Sequence, residues 1–177
     1  LTYSFGGNSW IAVDRNGTTY TFGSSATTRQ DNPSDSTEIL KWMLEEIRDV
    51  NDNYISYSYT KDSGQIYPDS ILYTSNGATD GIFTVEFTIE TRPDVSTSSK
   101  SGFEVTTNYR ISQIEMFVNT TSVKTYTLGY SSGDNTTSSL LSSITEDALP
   151  PTSFAYQSAT APEWEEDTSW TLPAAFY

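Results

Sequence analysis

The chain lacks cysteine and histidine, and it is poor in cations. No cysteine and no histidine occur among its 177 residues, which excludes disulfides, thiolate metal sites, His-ligated zinc and every nucleophilic site that uses a Cys/His pair or a Ser/His/Asp triad. Only 9 Lys and Arg face 23 Asp and Glu, for a formal charge of −14. Binding to phosphate backbones or anionic lipid depends on clustered cations. We therefore expect no nucleic-acid partner.

Long apolar runs and phosphate-binding motifs are missing as well. No apolar run approaches the roughly 20 residues that cross a bilayer, so the sequence predicts no membrane span. Leu1 opens a polar and aromatic stretch without a signal-like apolar region, as expected for a mature chain or an excised segment. Gly6-Gly7 and Gly102 are not followed by the lysine of a phosphate loop, and we predict no cofactor.

What the sequence does contain is alternation with a period of two, which is typical of half-buried strands. Three runs show it most clearly: Ile55, Tyr57 and Tyr59; Phe83, Val85, Phe87 and Ile89; and Tyr126, Leu128 and Tyr130. Turn formers separate such runs, at 14–17, 75–77 and 131–134. Asn-Gly between alternating runs is a strong hairpin signal. The chain is predicted to be all-β, a succession of antiparallel hairpins that forms a curved sheet.

The remaining segments complete the predicted layout. Residues 24–36 and 91–101 are rich in Ser, Thr, Asp and Pro and are predicted to be loops, and residues 152–156 a short strand. We divide the chain into a hairpin-rich module, 1–157, and an extended acidic and aromatic tail, 158–177. The tail has no period and is expected to lead to, or dock on, a neighbouring module.

Residues 35–48 fit two structures equally well. Leu40, Met43, Leu44 and Ile47 lie on one helical face, and Asp35 with Glu38 resembles a capping box. The same residues also alternate as a strand, with Trp42 and Leu44 on one side. Periodicity alone leaves helix and strand open here.

Asp49, Asn51 and Asn53 stand at alternate positions, as oxygen ligands do in a calcium loop. A calcium loop of the EF-hand type needs Gly at its sixth position and a carboxylate at its twelfth. Tyr54 and Thr60 stand there. Asp and Asn also favour tight turns, because they bond their own backbone and tolerate positive φ. We predict a hairpin turn and no metal site.

Paired carboxylates are the enzymatic chemistry that this composition still allows, since two of them suffice for glycoside cleavage. The candidates are Glu45, Glu46, Glu86, Glu90, Glu104 and Glu115. These glutamates are candidates only because they are carboxylates on predicted strands. Carboxylates on a solvent-exposed face of the sheet would give the same pattern. We predict no catalytic residue and a protein that is not an enzyme.

The aromatic residues give a binding alternative. Trp10, Trp42, Trp164 and Trp170, with twelve tyrosines, could form a platform on which sugars stack. Aromatic residues at alternating strand positions more often fill a core or form cross-strand pairs. We predict the following residues as core: Trp10, Trp42, Tyr57, Tyr59, Phe87, Tyr126, Leu128 and Phe154.

Several phrases stand together in an order that resembles a known family. They are Trp10 with 14–23, 42–44, 47–49, 53–59, 92–94, Gly102-Phe103, Arg110-Ile111, 126–130, 139–146 and 149–154. In this order they resemble the amino-terminal domain of the SpvB/TcaC type, shared by the B component of insecticidal toxin complexes and by related plasmid virulence proteins. Two turns depart from the pattern: Asp52-Asn53 stands where Gly-Asn is usual, and Asn119 opens a turn that is often glycine-rich.

The resemblance implies a non-catalytic structural module of a large secreted or cell-surface protein, part of a β-rich shell that encloses a toxic passenger. It implies partners in neighbouring modules of the same long chain, and it favours a strand around Trp42. Two alternatives remain. The chain could be a subunit of an extracellular filament or adhesin, assembled from identical subunits by strand pairing, or a carbohydrate-binding β module.

Overall fold

The computed structural model describes residues 2–134 and 138–157, and these ranges contain thirteen strands, one 3-10 turn and no α-helix. The all-β prediction is confirmed. No helix in the described ranges is long and apolar enough to cross a membrane. The elements are β1 Thr2–Gly6, β2 Ser9–Val13, β3 Thr19–Phe22, the 3-10 turn Ala26–Thr28, β4 Arg29–Asn32, β5 Asp35–Trp42, β6 Leu44–Arg48, β7 Asn53–Asp62, β8 Gln65–Asn76, β9 Phe83–Ser98, β10 Val105–Val118, β11 Thr121–Ser132, β12 Ser139–Glu146 and β13 Thr152–Ser153.

Eleven strands form one antiparallel sheet in the order β1-β2-β3-β6-β7-β8-β9-β10-β11-β12-β13. The two strands left out, β4 and β5, form a separate hairpin inserted between β3 and β6. Each strand of the large sheet therefore pairs with its neighbour in sequence, apart from this one insertion. The predicted succession of hairpins is confirmed. Register shifts interrupt five pairings of the large sheet, and such bulges bend strands locally.

The ambiguous segment 35–48 is two strands, β5 and β6, so the helical alternative is wrong. The chain leaves the β4–β5 hairpin and enters the large sheet at Met43, whose N–H donates to Thr28 O and whose C=O accepts from Gly23 N. A helix would break both bonds. The helical spacing of the apolar residues arises because two strands that face different surroundings follow each other directly.

Both predicted loops were partly wrong. Residues 24–36 hold the 3-10 turn, β4 and the start of β5, while β9 extends through most of 91–101 and ends only at Ser98. Proline suggested a break here, because it has no N–H to give to a ladder. Pro93, however, lies where the pairing of β9 with β10 jumps from Thr91 to Ser96, so no ladder bond is lost. The predicted strand at 152–156 is shorter, Thr152–Ser153.

The two turns that depart from the family pattern keep glycine-like backbones. Asp52 has φ 63° and Asn119 has φ 53°, both in the left-handed region. Asp and Asn are the residues other than glycine that enter this region most readily. The turn geometry is therefore kept without the glycine.

The predicted core is mostly wrong, because residues 2–134 and 138–157 form no complete second layer on the sheet. Among the described residues, the β4–β5 hairpin and the 3-10 turn are the only elements outside the sheet, and they pack near β7 and β8. The buried apolar residues are Ala12, Tyr67 and Phe103. Trp10 and Phe154 are 39% and 41% exposed, and the other predicted core residues are half-buried: Trp42, Tyr57, Tyr59, Phe87, Tyr126 and Leu128.

Candidate functional site

One face of the large sheet is mainly apolar from β1 to β11, and near its β12 side it also holds the ion pair of Lys124 and Glu146. Residues paired across antiparallel strands project to the same side, so the register identifies the members of each face. Four cross-strand rows define what we call the apolar face: Phe5, Trp10 and Phe22; Tyr20, Ile47 and Ile55; Tyr57, Ile71, Val85 and Met116; and Phe87, Ile114 and Tyr126. Most of these side chains are half-buried by their neighbours within the sheet.

The opposite side, the polar face, consists mainly of hydroxyl and carboxylate side chains. Its rows include Thr21, Glu46 and Ser56, and further along Ser58, Ser70, Glu86, Glu115 and Thr125. The sequence period of two therefore predicted two chemically different faces correctly. What it did not predict is that, in the described ranges, most of the apolar face has no covering layer; the β4–β5 hairpin contacts this face at Phe5 and Trp10 through Trp42.

A cleft of about 430 Å³ lies at the polar face and is lined by hydroxyls together with Glu45 and Glu46. Oε2 of Glu45 accepts hydrogen bonds from Ser24 N at 2.6 Å, Ser25 N at 2.9 Å and Thr28 Oγ1 at 2.7 Å. Burial raises the pKa of Glu45, but these hydrogen bonds outweigh it and leave the pKa below its ordinary value. The carboxylate therefore holds the segment before β4 in place through hydrogen bonds. Because its pKa is lowered, it is unsuited to donate a proton.

The other glutamates considered for catalysis are dispersed. Glu46 pairs with Arg48 at 2.8 Å, and Glu90 pairs with Arg110 at 2.7 Å. Glu104 is exposed in the turn before β10. The structure brings only Glu86 and Glu115 together across strands, directly opposite each other on the polar face. Two like charges at facing positions disfavour pairing of the strands, and Glu86 is exposed.

Asp49 organises the turn between β6 and β7 through its own carboxylate. Oδ1 accepts from Asn51 N at 2.8 Å and Asn53 N at 2.9 Å, and Oδ2 accepts from Asn53 Nδ2 at 2.8 Å. The hydrogen bond from the Asn53 side chain is the main reason why the pKa of Asp49 is lowered. Asp14 holds the β2–β3 turn with the same two amide bonds, from Asn16 and Thr18.

The predicted hairpin turn at Asp49 is thus present, and both carboxylate oxygens of Asp49 accept hydrogen bonds from amide groups of the turn. In the described ranges, no group of three or more acidic side chains is arranged to hold a metal ion. The absence of a calcium site stays a prediction, tested below.

Two of the four tryptophans meet at the β1 end of the sheet, in what we call the aromatic cluster: Phe5, Trp10 and Trp42. Ring centroids of Phe5 and Trp10 lie 4.7 Å apart, and those of Trp10 and Trp42 lie 6.3 Å apart. Trp42 Nε1 donates to Asn8 O at 2.7 Å. A cleft of about 300 Å³ beside the cluster is lined by Tyr3, Trp10, Ala12, Phe22 and Trp42. Trp164 and Trp170 lie outside the described residues.

Sequence reasoning missed the polar network around Asp94. Its carboxylate accepts from Arg92 Nη2 at 2.6 Å and from the N–H of Ser139 at 2.6 Å, which ties β9 to β12 across β10 and β11. Arg110 joins the network through Glu90 and Ser139, and it lies 4.1 Å above the ring of Tyr130. The phrase Arg92-Pro93-Asp94 was the available signal, but its meaning depends on a strand 45 residues away.

Residues 3–80 match the family model described as SpvB, Salmonella virulence plasmid 65kDa B protein. The resemblance found in the sequence is therefore confirmed over these residues. The fold is also similar to that of the N-terminal domain of effector protein SpvB from Salmonella typhimurium strain LT2, with a TM-score of 0.71 and 18% identity over 80% of this chain.

Two toxin structures match as well. The crystal structure of TcdB2-TccC3 gives a TM-score of 0.73, and a Photorhabdus luminescens Tc holotoxin pore gives 0.72, each at 19% identity over 84% of this chain. The match spans 61% of the SpvB N-terminal domain and 10% of each toxin chain. No curated protein sequence matches the chain significantly. At these identities the structural matches establish the fold.

Proposed function

We propose that this chain is a non-catalytic wall module of a large secreted protein of the toxin-complex type. The observation that carries the proposal is the single-layer sheet of eleven strands with one apolar and one polar face. A compact domain buries its apolar face against a second layer. A wall instead presents two faces to two different surroundings, and this sheet has the required asymmetry.

The structural matches support the same role. The similar region occupies a tenth of each toxin chain, so the fold occurs there as one part of a much larger protein. In this proposal the apolar face of the present chain lies against neighbouring modules or an enclosed toxic passenger, and the polar face lies toward water. Export of the whole protein follows from the proposed role in a toxin complex.

The chemistry of the side chains supports a role without catalysis. Glu45 accepts hydrogen bonds from the segment before β4, Glu46 and Glu90 pair with arginines, and Glu86 is exposed to solvent. We expect that substitution of Glu86 or Glu115 by glutamine leaves any activity of the parent protein unaltered. Loss of turnover in a variant that folds normally would revive the glycosidase hypothesis.

Carbohydrate binding is the second candidate, and the exposed rings of the aromatic cluster favour it. Sugars, however, need polar partners beside the stacking ring, and the cleft beside the cluster is lined by Tyr3, Trp10, Ala12, Phe22 and Trp42. The phenol of Tyr3 and the indole N–H groups are its polar atoms. Wall formation uses the whole sheet, whereas sugar binding would use one corner of it.

The intact mass of the native polypeptide tests the proposal. A wall module belongs to a chain far heavier than the 19.6 kDa of these residues, and mass spectrometry of protein purified from its source should show this. A native mass equal to 19.6 kDa would contradict the wall function and favour an independent subunit.

A further inference from the structure

The two edges of the large sheet are built differently. At one edge, β13 has only two residues and follows Pro150 and Pro151, and proline and short strands are common means of blocking further pairing. The chain beyond β13 continues to cover β12, because Phe154 N donates to Ser142 O and Tyr156 Oη to Leu141 O. Up to residue 157, this edge therefore offers no regular strand of more than two residues for further pairing.

Among the described residues, the other edge, β1, has no such protection. Its five residues are all exposed, and it contains no proline, no charged residue and no register shift in its pairing with β2. Residues 2–13 carry no charge at all in a chain of net charge −14. Tyr3 is 64% and Phe5 is 52% exposed. A neutral, regular, aromatic edge is the kind of strand that other chains pair with.

The register shows which backbone groups of β1 are free to pair. Gly7 and Asn8 form a two-residue turn with φ 58° and 62°, so the flanking pair Gly6 and Ser9 is hydrogen-bonded. Hydrogen-bonded and non-bonded pairs alternate along an antiparallel ladder. Ser4 therefore bonds Ile11 on β2, whereas the N–H and C=O groups of Tyr3 and Phe5 point away from β2, to the open edge.

These outward groups are spaced for self-pairing. Tyr3 and Phe5 flank Ser4 symmetrically, so a two-fold axis through Ser4 brings Tyr3 of one copy opposite Phe5 of another, and each such pair can exchange two hydrogen bonds. We propose that β1 pairs antiparallel with β1 of a second copy of this chain, in the register that places the two Ser4 residues opposite each other.

The side chains of β1 and its lack of charge support pairing with a second copy of this chain. Tyr3, Phe5 and Trp10 lie on one face, so the pairing aligns the aromatic clusters of both copies and buries rings beyond the backbone ladder. The absence of charge in residues 2–13 avoids the like-charge contacts that two strongly acidic chains would meet elsewhere. A two-fold pairing uses the same β1 edge of both copies, so it closes as a dimer and does not extend into a filament. This pairing is independent of the wall function proposed above.

The strength of the dimer is limited by its size. One five-residue strand pairing falls short of the roughly 1,200 Å² that marks the smaller stable interfaces. We therefore expect a dimer that dissociates on dilution, observed by sedimentation velocity over a series of concentrations.

Disulfide trapping tests the register, because the chain has no cysteine of its own. Ser4→Cys places two thiols at a non-bonded antiparallel pair, where Cα atoms lie about 4.5 Å apart, within the range of about 4.4–6.8 Å for disulfides. Thr2→Cys is the matched control: the same strand, the same face and a similar exposure. Its two copies would lie about 14 Å apart along the strands. We expect at least tenfold faster cross-linking of Ser4→Cys.

A proline variant tests the ladder. Tyr3→Pro removes an outward N–H but none that bonds β2, and we expect it to weaken the dimer at least tenfold. Tyr3→Ala removes the ring and keeps that N–H, so it should weaken the dimer less. Far-UV circular dichroism checks that each variant folds. If Tyr3→Pro does not fold, the comparison of Ser4→Cys with Thr2→Cys still tests the proposal. Equal cross-linking of both cysteine variants, an unweakened Tyr3→Pro dimer, or a monomer up to about 1 mM would each overturn the proposal.

Discussion

The middle of the sheet and its β1 end are held together by different interactions. Between β8 and β12, side chains reach across strands: Tyr67 Oη accepts from the N–H groups of Asn108 and Tyr109, and Asp94 bonds Arg92 and Ser139. At the β1 end, strands β1 to β3 contain no charged residue. The backbone ladder and the aromatic cluster hold that end.

The difference shows where a single-layer sheet can gain stability. The part of the chain that the structure describes gives the sheet no complete second layer against which side chains could be buried. The middle of the sheet instead uses charge-assisted hydrogen bonds between strands, which are stronger than neutral ones. The β1 end has none of these and keeps large rings exposed, so it is the part suited to bind another chain. We expect the middle to carry the stability and the β1 end to carry association.

The largest expected effect follows from Tyr67, which is 7% exposed and forms an edge-to-face contact with Tyr109 at 5.6 Å. Tyr67→Ala should lower the free energy of unfolding by about 3–5 kcal/mol, as typical for a buried aromatic residue. Tyr67→Phe should cost about 1–3 kcal/mol, because two backbone N–H groups lose their acceptor. Urea unfolding measures both changes.

Tyr3→Ala is the matched control from the β1 end. Tyr3 is 64% exposed, and exposed substitutions usually stay within about 0.5 kcal/mol. If Tyr3→Ala destabilised the monomer as much as Tyr67→Ala, the division between a stabilising middle and an associating end would be wrong.

The second largest effect is expected from acid, which should destabilise the middle of the sheet more than its β1 end. The hydrogen bond from the Arg92 guanidinium, followed by those from Ser139, holds the pKa of Asp94 well below its ordinary value of 3.8. A carboxyl whose pKa is depressed in the folded state stabilises the fold above its unfolded pKa, and this contribution disappears as pH falls toward the folded pKa. Lys124 lowers the pKa of Glu146 on β12 in the same way.

Stability should therefore be constant near neutral pH and fall below about pH 4. Hydrogen exchange, corrected for intrinsic rates, should show that amides of β9 and β12 lose protection from pH 6 to pH 3 while β1 and β2 change little. Asp94→Asn should flatten the acid response, with Glu86→Gln as the control carboxylate. An acid response in Asp94→Asn that equals that of the parent would contradict this assignment.

The smallest expected effect concerns calcium. Because the Asp49 carboxylate already accepts three hydrogen bonds within its own turn, a chelator should leave the melting temperature unchanged, as should added calcium. A drop of several degrees with chelator, reversed by calcium, would mean that the turn holds a cation after all.

Much of the fold could be predicted from local sequence. Alternation with period two and the turn residues at 14–17 and 49–52 predicted strands, hairpins and two unlike faces, because these features depend on neighbouring residues only. The structure of residues 35–48 could not be predicted in this way, because their apolar pattern fits the period of a helix and that of a strand. The hydrogen bonds of Met43 with Thr28 and Gly23, which the sequence does not show, decide for strands.

The errors have a common physical cause. Burial was inferred for Trp10 and Phe154 because apolar strand residues usually face a second layer, and whether such a layer exists is not encoded in the strand itself. Pro93 was interpreted as the end of a strand, because the bulge in β9 that accommodates it is defined only by the pairing of β9 with β10. The Asp94 network and the open β1 edge likewise depend on partners distant in sequence, which one sequence does not reveal.

The tail, residues 158–177, lies outside the described ranges, and the division at 157 stays a prediction. So does the expectation that this segment docks on a neighbouring surface, with Trp164 and Trp170 accessible to a quencher in the isolated chain. Shielding of both tryptophans in a monodisperse monomer would count against the wall function.

Carbene footprinting of the apolar face tests the central claim most directly. Photolysis of a diazirine probe should label Ile55, Phe87 and Met116 in the isolated chain, and mass spectrometry should show that the label is lost from these residues in the intact native protein. Exposed Val50, in a turn, is the control that should be labelled in both. Equal shielding of the three residues in the isolated chain and the native protein would mean that the chain covers its own apolar face, and the wall account would be wrong.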